Sequence, residues 1–201
     1  PVSDGQVTFC RHFKYLGSYV SFYLCDNYDI DKRIAAVSQA TGALNTMWDC
    51  PHLELWSKYL LFRSTPMNIL LWGCETWSMR KALANKLEVF LYRSIRQILH
   101  VSITRVKEER IRNEHVQRMF YDIPRDGNMI AARQMDFIRK IICAPPDRPA
   151  QQMLMACYDN ICPVGCLFLH LKDYIIKNLR LLFPNVPEVT INDFGSLKSW
   201  I

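Results

Sequence analysis

Few residues in this chain of 201 can do chemistry, and their spacing decides what each can be. The densest set is Cys157-x4-Cys162-x3-Cys166-x3-His170. Zinc takes about four N or S ligands at tetrahedral positions. The last three residues of the set stand at i, i+4 and i+8, which lines ligands along one helix face and does not wrap them round an ion. No C-x2-C knuckle accompanies them. The expectation is buried or half-buried thiols and one surface histidine, without a metal. His12, His52, His100 and His115 lie beside no nucleophile pattern and are expected to be structural or exposed. Asp29 and Asp31 open a helix pattern, where capping or the helix dipole accounts for them. Glu108 and Glu109 lie among Arg and Lys at ion-pairing spacing. Cys74 has no base beside it and Glu75 no acidic partner. There is no phosphate-cradling glycine loop, nucleophile elbow or H-E-x-x-H helix.

What stands above background is basic charge. Residues 1–76 hold 6 Lys/Arg against 7 Asp/Glu, residues 77–140 hold 14 against 7, and residues 141–201 hold 5 against 5. The whole excess of the net +6 therefore sits in the middle third. A concentrated basic segment fits a polyanion partner, most often nucleic acid; a solvated, Arg-rich helical surface has the same composition. Half of the residues are apolar, enough for a packed core. The eight cysteines are irregularly spaced in a chain too large to need disulfide staples, which suits free thiols in an intracellular compartment, nucleus or cytoplasm. No apolar run approaches a membrane span, so no membrane partner is expected. The chain opens on Pro1 and not on Met, which suits the tail of a longer protein.

These residues need elements to hold them. Alternation predicts short strands over Gln6–Cys10 and within Phe13–Phe22, with Gly17 as a turn or bulge. A lone hairpin is marginal, which suggests a missing partner sheet upstream. Ile30, Ile34, Val37, Thr41, Leu44 and Trp48 mark one face of a helix that Cys50-Pro51 ends. A second helix is predicted from about His52 to Trp72, broken or kinked at Pro66. The third is the clearest: Leu83, Leu87, Phe90, Leu91, Ile95, Ile98 and Leu99 face one way, and Arg80, Lys81, Lys86, Arg93 and Arg96 the other. Thr104–Phe120 reads as one or two short helices, Pro124–Gly127 as a turn, and about 128–143, 148–158 and 164–182 as further helices. Pro184 and Pro187 open an irregular tail. The fold class is mainly α: a short β-hairpin or strands at the N-terminus, then a multi-helix bundle. Trp72-Gly73-Cys74-Glu75-Thr76-Trp77 reads as a corner. Gly73 lets the chain turn, both indole rings bury area round it, and Thr76 or Ser78 caps the basic helix.

Several strings in order carry a resemblance. Phe13-Lys14-Tyr15-Leu16-Gly17-Ser18 comes first, then Ile30-Asp31-Lys32-Arg33-Ile34, then Leu71-Trp72-Gly73-Cys74-Glu75-Thr76-Trp77. Lys86-Leu87-Glu88-Val89-Phe90, Arg96-Gln97-Ile98-Leu99 and Arg112-Asn113-Glu114-His115-Val116 follow, and Ala131–Phe137 precedes Pro146-Asp147-Arg148-Pro149. Over roughly residues 12–158 the set resembles the C-terminal part of reverse transcriptases from non-LTR (LINE-like) retrotransposons.

The resemblance implies that residues 1–25 are a remnant of the polymerase palm edge. Residues 26–143 would be a basic thumb-like domain, and residues 144–201 a helical extension with an irregular tail. It implies partners: an RNA template, a DNA primer and the missing fingers and palm. Lys14, Tyr15, Arg80, Lys81, Lys86, Arg93, Arg96, Arg105, Arg112, Arg133, Arg139 and Lys140 would meet nucleic acid, while Gly17, Trp72, Gly73 and Trp77 would shape the structure. The family's two catalytic metal ions, magnesium by implication, are held by an Asp-Asp turn and a further Asp. This sequence has no Asp-Asp pair, so the expectation is a non-catalytic piece that needs no cofactor of its own. Where the family often continues with a Gly-Arg-Pro turn, Pro163-Val164-Gly165-Cys166 stands instead. The other readings are a free-standing basic helical nucleic-acid- or protein-interaction module, and a degenerate retroelement copy without function.

Overall fold

The computed structural model describes residues 9–23, 25–159 and 171–184. It is mainly helical, with one antiparallel hairpin ahead of the helices. Strands β1 (His12–Tyr15) and β2 (Ser18–Ser21) pair from His12↔Ser21 to Tyr15↔Ser18. Leu16 and Gly17 make the turn at φ 46° and 88°. Two positive φ values suit the tight hairpin turn whose twist matches that of the strands. Phe9 and Cys10 lie outside any strand, and the rest of the expected first strand falls outside the described residues.

Helix α1 (Asn27–Ala43) buries Ile30, Val37 and Thr41, as their spacing requires. It stops sooner than expected, and α2 (Asn45–Trp48) restarts after Leu44. Gly42 favours fraying there, and the indole of Trp48 donates to the Thr41 carbonyl at 2.9 Å, folding the chain back. The expected break at Pro66 is present: α3 (Leu55–Ser64) ends and α4 (Pro66–Leu70) begins with that proline in its first turn, where no N–H is needed. Helix α5 (Lys81–Ile98) buries Leu83, Leu87, Leu91, Ile95 and Ile98 along one stripe. Each such side chain contributes about 1.5–3 kcal/mol. Helices α6 (Ile103–Glu108) and α7 (Asn113–Met119) follow as two short pieces.

Contacts divide the chain into two compact units, one up to Asp126 and one from Gly127 on. In the first, α1 packs on α4 and α5, and α5 packs on α7. An aromatic cluster ties α3 to the end of α7: Phe120 meets Tyr59 and Phe62 edge-on, and Trp56 meets Tyr121. The second unit comprises α8 (Asp126–Ile142, whose first residue belongs to the other unit), α9 (Pro149–Asp159) and α10 (Leu171–Leu182). Its core is Met135, Ile138, Ile142, Leu154, Ile175 and Leu179. Buried Gln134 accepts hydrogen bonds from Asn178 at 2.9 Å and Tyr174 at 2.7 Å. The turn expected over Pro124–Gly127 does not form: Pro124 and Arg125 are irregular, and Asp126 and Gly127 already belong to α8. An acid in the first turn complements the helix dipole, and that wins over the turn propensity of Asp-Gly. No helix among the described residues is long and apolar enough to cross a membrane.

Candidate nucleic-acid interface

The geometry starts at the corner. Leu71 ends the apolar run after α4, Gly73 turns the chain at φ 76°, and Cys74–Thr76 form a single 3-10 turn. The two tryptophans do different work. Trp77 is 2 % exposed and Trp72 is 56 % exposed. Trp72 does not bury in a core as expected. Its ring lies over Gly17, where a Cβ would come within 3.3 Å of Nε1, and its indole N–H donates to the Leu16 carbonyl at 3.2 Å. Gly73 in turn faces β2: a Cβ there would stand 2.4 Å from Ser18 Oγ. The hairpin turn and the corner therefore fit together through two glycines.

Asp29 locks that fit from beneath. It is 3 % exposed, and its Oδ1 accepts from the Tyr19 backbone N–H at 2.9 Å. Its Oδ2 accepts from the indole of Trp77 at 3.0 Å, and Arg33 approaches at 3.8 Å. Arg33 also donates to the Gly17 carbonyl at 2.5 Å and Ser18 Oγ at 3.1 Å. Asp29 does sit in the first turn of α1, but its side chain is a buried latch and not a cap. Neither Thr76 nor Ser78 caps α5. The Thr76 hydroxyl donates to the Gly73 carbonyl, and the Ser78 N–H donates to Asp26 at 2.7 Å. Arg80 occupies the N-cap position of α5 without a side-chain bond.

The hairpin's inner face rests on α1, with His12 stacked on Tyr28 at 3.8 Å. Its outer face leaves Phe13, Tyr15 and Val20 exposed, with Phe22 just beyond, and Lys14 is exposed too. Of the basic residues on α5, Arg80, Lys81 and Arg93 are exposed, while Lys86 is paired with Asp31 of α1. Arg96 turns inward: it is half-buried, lies over the Tyr92 ring and donates to Asn113 Oδ1 at 2.5 Å. Arg105 pairs with Glu109 at 2.8 Å, the i,i+4 pair expected there. Arg112 is exposed and lines a cleft of about 360 Å³ with Arg110, Glu114, His115 and Arg118. Arg110 and Arg118 are not among the contacts expected from the sequence. Only the cleft distinguishes them from other surface cations, and it depends on the bend between α6 and α7.

Arg133, Arg139 and Lys140 belong to the second unit. Arg133 is half-buried, and Arg139 and Lys140 both hold Asp136, each at 2.7 Å. Hydrogen bonds from Lys140 and Arg139 keep the Asp136 carboxyl below its usual range. No group of three or more potential metal ligands occurs among the described residues. The set Cys157, Cys162, Cys166 and His170 lies outside those whose side chains are described. Cys10, Cys25, Cys50 and Cys143 are free thiols. No known protein-family model, curated protein or solved structure matches this chain.

Two predictions arise at the corner. Gly73→Ala would force a Cβ into Ser18 Oγ at a φ that L-residues avoid, at a cost of about 1–2 kcal/mol for the backbone alone. Urea unfolding should show at least that loss, and Gly73→Ala with Ser18→Ala should recover the part due to the clash. The second concerns Asp26, whose carboxyl is held above its ordinary value, chiefly by burial and against the Ser78 hydrogen bond. A carboxyl with a raised folded pKa binds its proton more tightly when folded, so its stability contribution declines as pH rises through that value. Asp26→Asn removes this decline. The stability of the variant relative to wild type should therefore move in the variant's favour as pH rises above the ordinary aspartate range.

Proposed function

We propose that this chain is the palm-edge and thumb part of a retrotransposon-encoded, RNA-directed DNA polymerase of the non-LTR class. It contributes binding of the template–primer duplex and carries no catalytic aspartates. The observation that carries this reading is the meeting of the strings at Asp29. Tyr19 follows the F-K-Y-L-G-S string, Asp29 and Arg33 flank or belong to the I-D-K-R-I string, and Trp77 closes L-W-G-C-E-T-W. Strings that resemble one family in order and also pack on one another are best read as one inherited unit. The exposed face of Phe13, Tyr15 and Val20 is the surface that the rest of a palm would cover, since apolar patches of this kind mark interfaces. The exposed Arg80, Lys81, Arg93 and Arg112 supply cations for backbone phosphates of an RNA–DNA hybrid, which is recognised by shape and charge.

A free-standing interaction module is the second reading, favoured by a hairpin already latched onto helices of the same chain. Titration of an RNA–DNA hybrid with the full chain tests the first reading and separates it from a protein-interaction module. The polymerase reading predicts sequence-independent binding that weakens about 100-fold between 50 and 200 mM salt, as about four neutralised phosphates would give. Absence of binding at 50 mM salt, or an affinity indifferent to salt, would contradict it.

A further inference from the structure

Several of the basic side chains that the sequence offers to a polyanion already have a partner. Lys86 is held by Asp31, Arg105 by Glu109, Arg139 and Lys140 by Asp136, and Arg96 by Asn113. The cleft formed by α7 and the bend ahead of it is different. Three guanidinium groups, from Arg110, Arg112 and Arg118, line it. Among the described residues none of the three has a carboxylate within ion-pairing reach. The one acid in the lining, Glu114, is drawn by Arg125 at 3.6 Å.

The backbone accounts for how these residues come together. Arg110 stands at φ 50° just past the end of α6. The Ile111 N–H reaches back to the Val106 carbonyl at 3.1 Å, closing the helix in the left-handed motif where glycine is the usual residue. An arginine there is less stable than glycine. The bend it makes carries the chain from α6 into α7, bringing Arg110 to one cleft with Arg112 and Arg118. The start of α7 is fixed against α5 by Arg96 on Asn113 and by Tyr92 on Gln117 at 3.5 Å.

We propose that this cleft is a binding site for phosphate groups of a nucleic-acid backbone, with Arg110, Arg112 and Arg118 as its ligands. The inference rests on the nucleic-acid reading above and says where on the first unit the backbone is held. Guanidinium groups match phosphate oxygens in paired hydrogen bonds. The lining is three arginines, Glu114 and His115, with no Phe, Tyr or Trp, and a surplus of cations over aromatic rings favours backbone over base contacts.

The test compares the full chain with Arg110→Gly and with Arg112→Gln/Arg118→Gln, using anisotropy of a labelled RNA–DNA hybrid over a salt series and thermal melts. Arg110→Gly should melt about 2–4 °C higher, because glycine relieves the left-handed position. It should also bind more weakly, with a salt slope shallower by about 1, and the double variant's slope should be shallower by about 2. A variant that gains stability and loses binding separates a ligand from a structural residue. If wild type binds and both variants keep its affinity and slope, the cleft is not the site, and the nucleic-acid reading survives. If wild type does not bind the hybrid at 50 mM salt, both fail together.

Discussion

A single buried carboxylate holds the first unit together. Removing an ion from water is costly unless it is hydrogen-bonded and paired, and Asp29 takes two hydrogen bonds and one ionic contact from three places in the chain. The Tyr19 N–H comes from β2, the Trp77 indole from the corner after α4, and Arg33 from the next turn of α1. Satisfying one charge thus fixes three segments at once. The hairpin's position follows from it. With Tyr19 pinned, Gly17 lies under Trp72, and Ser18 stands where only a glycine at position 73 can face it. Leu16 is held in a left-handed conformation that a leucine resists, with Trp72 on its carbonyl and Arg33 on that of Gly17.

The same economy governs the surface. A segment with seven more cations than anions in 77–140 suggests a broad basic face. Much of that charge is used within the protein: Lys86 ties α5 to α1, Arg96 ties α5 to α7, and Asp136 gathers Arg139 and Lys140. Charge without a partner is scarcer and more local than composition implies. Among the described residues of this segment, exposed cations outside the ion pairs include Lys81 and Arg93 on α5 and those at the bend between α6 and α7.

Features set by neighbouring residues were legible in the sequence. The stripe of α5, the break at Pro66, the turn at Gly17 and the mainly helical class all follow from local periodicity or from one residue's dihedral limits. Features set by distant partners were not. Asp29 looks like any acid in a first turn, because its indole partner lies 48 residues away. Trp72 and Trp77 look alike in the string, yet one lies over Gly17 at the surface and the other is buried. Leu44 breaks α1 because the Trp48 indole folds back onto Thr41, and periodicity alone carries the helix straight through. Arg110 gives no sign that it sits where glycine usually does, since helix ends are fixed by hydrogen bonds and not by residue type alone.

The claim on which the first unit rests is that Asp29 and Trp77 act as one interaction. A double-mutant cycle measures it directly: Asp29→Ala, Trp77→Phe and the pair, each by urea unfolding of the full chain. Either single change leaves a buried polar partner unsatisfied, and making both leaves no new orphan between them. The expected coupling energy is about 2 kcal/mol, with the double variant far less destabilised than the sum of the singles. Losses that add to within about 0.5 kcal/mol would contradict it.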